Sequence, residues 1–209
     1  MNMSSIIEKA NALTEKITEL RRMFHAHPEL PWLEVETSLF VEQYLRKLGL
    51  ENIRRGFDGT QSGVMADLKG GKPGRCVALR ADIDALPLEE ENDIPYKSTY
   101  SGVMHACGHD AHTAVLLGVA EILSSMRDEL CGTVRFLFQP AEEAGMHSGA
   151  PKMIEEGALD GVEAIGGLHV WALLESGKLG YRIGPVMASA DIFLSFAIIF
   201  STSEAKLSL

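Results

Sequence analysis

The sequence predicts an α/β fold, in which a mixed, mostly parallel sheet is flanked by helices. Three observations support this prediction. Apolar residues recur at helical spacing in the first fifty residues, the later apolar runs are short enough to be strands, and those strands alternate with further helical patterns. Such alternation is typical of sheets whose parallel strands are joined by helices packed on both faces.

The individual elements follow in order along the chain. A stripe of apolar residues from Ile6 to Phe24, behind a Ser5–Glu8 capping box, predicts the first helix, and a second runs from Thr37 to a stop at Gly49. Later apolar runs and helical spacings predict strands at 63–68, 76–79, 133–138 and 164–168, and helices at 110–126 and 150–156.

Composition excludes several classes of function. The 209 residues carry a formal net charge of −10, which argues against binding to nucleic acid or to an anionic membrane surface. The amino terminus has no signal-peptide pattern, and the apolar run 192–200 is too short to span a bilayer. Three cysteines without a CxxC pair fit a reducing compartment, so we expect a cytoplasmic protein; the sequence leaves a homo-oligomer open.

Polar side chains follow three of the predicted strands. Asp82 and Asp84 follow the strand at 76–79, Glu142 and Glu143 follow the strand at 133–138, and His169 follows the last strand. Because ligands of open α/β sheets bind beyond the carboxyl ends of the strands, we expect these side chains to share one site.

A thiol and several imidazoles lie in the segment Met104–His112. Cys107 and His109 are separated by one residue there, and together with the glutamates and the last histidine they offer the donor types of a catalytic transition-metal site. Adjacent carboxylates such as Glu142 and Glu143 can also divide the work, one binding metal and one acting as a general base.

Each candidate also has an ordinary structural interpretation. Cys107 alone would be a small buried apolar residue, His109 a core or helix-capping residue, and the glutamate pair a solvated helix start. The clustering of these residue types favours the site. Of the remaining residues, His105 and His112 are predicted to support the site or the fold, His25 and His27 to be structural at a helix end, and Cys76 and Cys131 to be core residues.

Several motifs, in this order, resemble the M20 metallopeptidase superfamily. They are Arg21–Leu30, Leu79–Pro87, Met104–His112, Phe138–Glu143 and Gly167–His169. Within the superfamily the chain is most similar to the amidohydrolase branch, which includes hippurate hydrolases, N-acyl-amino-acid deacylases and auxin-conjugate hydrolases. The resemblance covers about residues 17–193 and implies a zinc-exopeptidase-like catalytic domain that cleaves the amide bond of N-acyl amino acids or related small conjugates.

The resemblance also implies roles for particular residues. It implies a site for two divalent ions, zinc or manganese, with Cys107, His109, Glu143 and His169 as ligands and Glu142 as the general base. Asp82, Asp84 and His112 are expected to support that site without binding metal themselves.

The resemblance ends after Phe193. The family continues into a lid domain and then returns to the catalytic domain with a last histidine ligand, and neither is found in the 209 residues. The sequence therefore predicts an incomplete catalytic domain at residues 1–187, a stub of the lid entry with a divergent tail at 188–209, an incomplete second metal site and impaired activity. Two alternatives remain: a non-catalytic fragment or binding subunit with a partial metal site, and a cysteine enzyme built on Cys107 and His109.

Overall fold

A computed structural model describes residues 3–181 and 183. The helices are α1 (Met3–Ala12), α2 (Thr14–Ala26), α3 (Val35–Lys47), α4 (His109–Ser124) and α5 (Gly149–Glu155). The strands are β1 (Glu51–Arg55), β2 (Val64–Lys69), β3 (Lys72–Asp82), β4 (Cys131–Gln139) and β5 (Val162–Gly167). Short 3₁₀ segments occupy Arg127–Glu129 and Glu142–His147.

The first helical stripe forms two helices instead of one. The chain breaks at Leu13, whose backbone N–H lies 3.2 Å from the Lys9 carbonyl and 3.1 Å from the Ala10 carbonyl. Because α1 already includes Met3, Ser5 lies inside the helix and the predicted capping box is wrong. Gly49 does follow the end of α3 in a left-handed conformation, as a helix stop requires.

The five strands form one mixed sheet in the order β1-β2-β4-β3-β5. β2 is antiparallel to both of its neighbours, whereas β3 is parallel to β4 and to β5. Four strands therefore run in one direction, and only β2 runs in the other. The register pairs Asp82 with Gln139 and Arg80 with Gly167, so β3, β4 and β5 end at the same edge of the sheet.

Apolar side chains pack on both faces of the sheet. The larger core contains Val41, Leu117 and Phe136, from α3, α4 and β4, and the smaller core on the opposite face joins Leu137 of β4 to Met153 of α5. The alternation of Phe136 and Leu137 between the two cores follows from the two-residue period of a strand. The predicted α/β sheet flanked by helices is confirmed.

Three local features differ from the sequence interpretation. β1 was not predicted, because Glu51-Asn52-Ile53-Arg54-Arg55 contains a single apolar residue and Asn52 has a positive φ of 50°. β5 covers Val162–Gly167, so it begins two residues before the strand predicted at 164–168 and ends one residue before it, and as an edge strand it has mostly exposed side chains. Cys131 is exposed rather than a core residue, because it is the first residue of β4 where the strand leaves a turn.

The chain divides into two compact units, Met1–Leu173 and Leu174–Leu209. All the helices and strands given above belong to the first unit. In the second, only residues 174–181 and 183 are described, and there Lys178 Nζ lies 2.5 Å from Glu175 Oε2. The predicted boundary between 187 and 188 lies outside the described residues and stays a prediction. Within the described ranges, no helix combines the length and apolar character needed to cross a membrane.

Candidate metal centre

His109 lies at the centre of the candidate site. It is fully buried at the first position of α4, immediately after Gly108, whose φ of 88° suits glycine. A Cβ at Gly108 would also collide with the side chain of Val170. The glycine therefore permits both the turn into α4 and the close packing that fixes His109 at the sheet edge.

Hydrogen bonding determines which nitrogen of His109 is free to bind a ligand. Nδ1 lies 3.0 Å from the backbone carbonyl of Asp84 and 3.2 Å from its Oδ1, so Nδ1–H is the donor. Nε2 then faces the site, and it has no hydrogen-bond partner among the described residues. Burial acts to lower the pKa of His109, but Asp84 and Asp82 raise it overall. Carboxylate and carbonyl partners of this kind orient metal-binding histidines.

Cys107 and His169 approach His109 from another side. Cys107 Sγ lies 3.4 Å from His169 Nε2, and these two atoms and a ring nitrogen of His109 all lie within 4.8 Å of one another. His169 Nδ1–H donates to the Val170 carbonyl at 2.5 Å, which leaves Nε2 available on the side of Cys107. Burial, followed by the neighbouring carboxylate of Glu143, raises the pKa of the Cys107 thiol to about 12.

The two adjacent glutamates meet His109 from the end of β4. Glu143 Oε1 lies 3.8 Å from His109 Nε2, and Glu142 Oε2 lies 3.9 Å from the same nitrogen. The backbone N–H of Glu143 donates to Asp84 Oδ2 at 2.8 Å, and its Oε1 is buried without a hydrogen-bond partner in the described part of the chain. The Glu142 side chain is 41% exposed, and burial with nearby carboxylates raises its pKa.

Asp82 and His112 form a buried pair beside these groups. His112 Nδ1 lies 2.5 Å from Asp82 Oδ1, and His112 Nε2 accepts the N–H of Val170 at 2.9 Å. Both ring nitrogens of His112 are thus occupied by protein partners. Asp82 Oδ2 contacts Arg80 Nη1 at 2.7 Å and lies 3.6 Å from His109 Nε2. Although burial acts to raise the pKa of Asp82, its bond to His112 and the nearby cations lower it to about 2.

A buried ion-pair network behind the site was not predicted from the sequence. Asp110, the residue after His109, is contacted by His25 Nδ1 at 2.7 Å and by Arg21 Nε at 2.8 Å. His25 Nε2 also lies 3.1 Å from Glu90 Oε1. The network ties α2 to the start of α4, which agrees with the structural role predicted for His25. No local pattern could reveal it, because the partners are 65 and 85 residues apart in the sequence.

His105 remains outside these contacts. It is buried, and neither ring nitrogen has a hydrogen-bond partner among residues that the structure describes. Burial lowers its pKa to about 4, so the ring is neutral near pH 7. His27 lies at the end of α2, as predicted, where Nδ1–H donates to the Met23 carbonyl at 2.9 Å.

The donor set fits divalent transition metals. Three pairs of side chains lie close around His109: Cys107 with His169, Asp82 with His112, and Glu142 with Glu143. Because His112 is already bonded to Asp82 and Val170, the first and the last pair are the ones with donor atoms free for a metal. The unpartnered, buried atoms His109 Nε2 and Glu143 Oε1 support this fit, because buried polar atoms without partners are rare unless a ligand or water satisfies them.

Comparisons with known proteins agree with this geometry. The profile of peptidase family M20/M25/M40 matches residues 78–207. The chain is 50% identical over 173 residues to an N-acyl-L-amino acid amidohydrolase of Geobacillus stearothermophilus, covering 83% of this chain and 46% of that protein. It is 48% identical over 177 residues to thermostable carboxypeptidase 2 of Saccharolobus solfataricus, covering 85% of this chain and 44% of the relative.

The fold has close counterparts among solved structures. A Bacillus subtilis protein described as a dinuclear metal-binding peptidase of the M20 family superposes with a TM-score of 0.73 at 45% identity, covering 78% of this chain and 45% of that one. The chain thus spans about half the length of the curated relatives it matches.

Proposed function

The chain belongs to peptidase family M20/M25/M40, and from that premise we propose that it supplies the metal site of a metal-dependent amidohydrolase. The observation that carries the proposal is the buried, unpartnered His109 Nε2, which lies 3.8 Å from Glu143 Oε1. Donor atoms of Cys107 and His169 lie within 4.8 Å of a ring nitrogen of the same histidine. Two divalent ions are proposed, zinc or manganese. The proposed ligands are Cys107, His109, Glu143 and His169.

The geometry supports a division of labour between the two glutamates. Glu143 is anchored through its backbone to Asp84 and directs a buried, unpartnered oxygen at the site, as a ligand should. Glu142 is more exposed, and burial and the nearby carboxylates raise its pKa, which makes it a stronger base than an ordinary carboxylate. We therefore assign Glu142 as the general base.

The reaction is the hydrolysis of an amide by water. When bound, divalent ions acidify a water molecule and polarise the amide carbonyl. Glu142 accepts the proton of the attacking water and then passes it to the leaving nitrogen. Asp84 holds the His109 ring so that Nε2 faces the site. Asp82 holds the His112 ring through Nδ1, and His112 Nε2 accepts the N–H of Val170, the residue after His169. These contacts keep the reacting groups in place without reorganisation.

The substrate class rests on the relatives. One is an amidohydrolase of N-acyl-L-amino acids and another a carboxypeptidase, so both reactions release an amino acid from an amide at its α-nitrogen. We assign this chain to amides of that kind, including N-acetyl amino acids and hippurate. The three cysteines are free thiols in the structure, which supports a reducing, cytoplasmic setting.

The direct test uses the purified 209-residue chain, stripped of metal and then titrated with Zn²⁺ or Mn²⁺. We expect binding that His109→Ala abolishes and His27→Ala leaves unchanged, because His27 lies away from the site at the end of α2. No metal binding would overturn the proposal. Turnover is measured on N-acetyl amino acids and hippurate, with the chain alone and with a chimera that adds the remaining half of the Geobacillus relative. Metal binding without hydrolysis by the chimera would favour the alternative, a non-catalytic binding subunit.

Metal binding should release a proton from Cys107. The thiol is protonated at neutral pH, since its pKa is about 12, and it binds metal as a thiolate. We expect Cys107→Ser to release about one proton fewer per chain, and the affinity of the unaltered chain for the ion bound to Cys107 to rise about tenfold per pH unit from this group alone. Calorimetric titrations in buffers of different ionisation heat measure the count. Equal proton release by the two chains would contradict the assignment of Cys107 as a ligand.

A further inference from the structure

Ala141, the residue before the glutamate pair, has an unusual backbone conformation. Its φ of 52° and ψ of 43° lie in the left-handed region, which is unfavourable for a residue with a Cβ. Such residues persist where their surroundings determine the conformation, and they cluster at functional sites. The turn at Ala141 sends the chain from the end of β4 into the segment Glu142–His147, so it determines where both glutamates lie.

The turn is held by Glu34. The N–H of Ala141 donates to Glu34 Oε1 at 2.7 Å, and both residues are fully buried. On the other side of the turn, the N–H of Gly149 lies 3.3 Å from the Ala141 carbonyl, and a Cβ at Gly149 would collide with Pro140. A Cβ at Gly63 would likewise come within 2.7 Å of the Pro140 ring. The N–H of Ala141 is therefore bonded to the Glu34 carboxyl, and the turn around it is tightly packed.

The side chain of Glu34 does not cap α3, the helix that it precedes. It is the N-cap residue of α3, yet its side chain makes no capping hydrogen bond there, as far as the described residues show. The free N–H groups of Glu36 and Thr37 donate instead to the Glu29 carboxylate, at 3.1 and 2.8 Å. Burying a carboxylate is unfavourable unless it has partners. The Ala141 N–H is such a partner at 2.7 Å, and the Glu34 N–H and the Ser62 side chain also favour the charged form of the carboxyl.

A second contact holds the far end of the same segment. Trp32 also has a positive φ, of 65°, and its Nε1–H donates to the carbonyl of His147 at 2.7 Å. Residues 32–34 therefore contact both ends of the segment 141–147, which carries Glu142 and Glu143.

We propose that Glu34 is a positioning residue for the catalytic glutamate pair, acting through the backbone of Ala141. The proposal rests on the function proposed above and assigns a role to a residue that touches neither metal nor substrate. Glu34 Oε1 keeps Ala141 in its left-handed conformation, and that conformation places Glu142 and Glu143 beside His109.

The test compares two substitutions of similar size. Glu34→Gln retains an oxygen that can accept the Ala141 N–H, whereas Glu34→Met fills the same space without one. Glu36→Ala, at an exposed position in the first turn of α3, is the control. Hydrogen exchange at the Ala141 amide is measured on the metal-free chain, so its result does not depend on the proposed metal function.

We expect Glu34→Met to speed exchange at Ala141 tenfold or more, and to weaken metal binding by a similar factor, because the buried N–H of Ala141 is left without its acceptor. The absorption of cobalt bound to the Cys107 thiolate should persist, since Cys107 lies in the segment before α4, whereas Glu34 holds the turn at Ala141. Glu34→Gln and Glu36→Ala should stay within about threefold of the original chain, a margin smaller than the loss of one hydrogen bond.

Unchanged exchange and metal affinity in a folded Glu34→Met chain would overturn the proposal, and so would equal losses in the Gln and Met variants. If Glu34→Met does not fold, Trp32→Phe replaces it, because Trp32 is only partly buried and loses one donor. Exchange across residues 141–147 must then rise relative to Glu36→Ala, and an unchanged rate would reject the positioning role. A chain that binds no metal but shows the expected exchange would reject the proposed function and keep this contact.

Discussion

Glu142→Gln should retain metal while lowering kcat by about 10²–10⁴-fold, the usual contribution of a general base. The amide of Gln has nearly the same shape as the carboxylate, but it cannot accept the proton of the attacking water. The rate is measured on an N-acetyl amino acid with the chimera completed by the Geobacillus relative, or with the 209-residue chain if that chain is active alone.

The neighbouring residue supplies the matched control. Glu143→Gln changes the same functional group one position along the chain, but it alters a proposed ligand whose oxygen is buried and unpartnered within the described structure. We expect Glu143→Gln to weaken metal binding, whereas Glu142→Gln does not. If Glu142→Gln loses metal and Glu143→Gln keeps it, the roles of the two glutamates are reversed. A near-normal kcat in Glu142→Gln would show that Glu142 is not the general base.

The second large effect is a pH-dependent gain in stability on Glu34→Gln. Burial raises the pKa of Glu34 to about 7, from an ordinary value of 4.5. Below pH 4.5 the carboxyl is protonated in both folded and unfolded chains, so the stability of the protonated form is fully present. As the pH rises to about 7, the unfolded chain releases the proton and the folded chain retains it. Folding therefore becomes less favourable, by about 3 kcal/mol in total.

The side chain of Gln does not titrate in this range, so Glu34→Gln does not lose folding stability in this way as the pH rises. The difference in unfolding free energy between Glu34→Gln and the original chain should shift in favour of Gln by about 3 kcal/mol between pH 4.5 and 7.5. Urea unfolding of the metal-free chains at several pH values measures that difference, and other titrating groups cancel in it. A difference that does not change with pH would show that the Glu34 carboxyl titrates normally.

Much of the fold could be predicted from local pattern. α4 begins at His109, directly after Gly108 and one residue before its predicted start at residue 110. The apolar runs of β2 and β4 were sufficient to locate those strands. β1 could not be found this way, because its five residues contain one apolar side chain and an irregular register with β2.

The candidate site also contains residues that the sequence could indicate and residues that it could not. Glu143 and His169 became candidates because they follow strands whose ends meet at one edge of a sheet, and Cys107 because one residue separates it from His109. The residues that hold them were not identified, because their contacts are long-range: Glu34 reaches Ala141 across 107 positions, and His25 reaches Asp110 across 85. Neither pairing has a periodicity or a spacing that a sequence could show. Burial and hydrogen bonding, which only the folded chain displays, reveal them.

The most direct test of the central claim is a crystal of the 209-residue chain soaked with zinc, examined by anomalous difference density at the zinc absorption edge. We predict density bonded to His109 Nε2, with Cys107 Sγ, Glu143 and His169 among the other ligands at about 2.0–2.3 Å. Zinc bound elsewhere on the chain, with His109 Nε2 left without a metal, would contradict it.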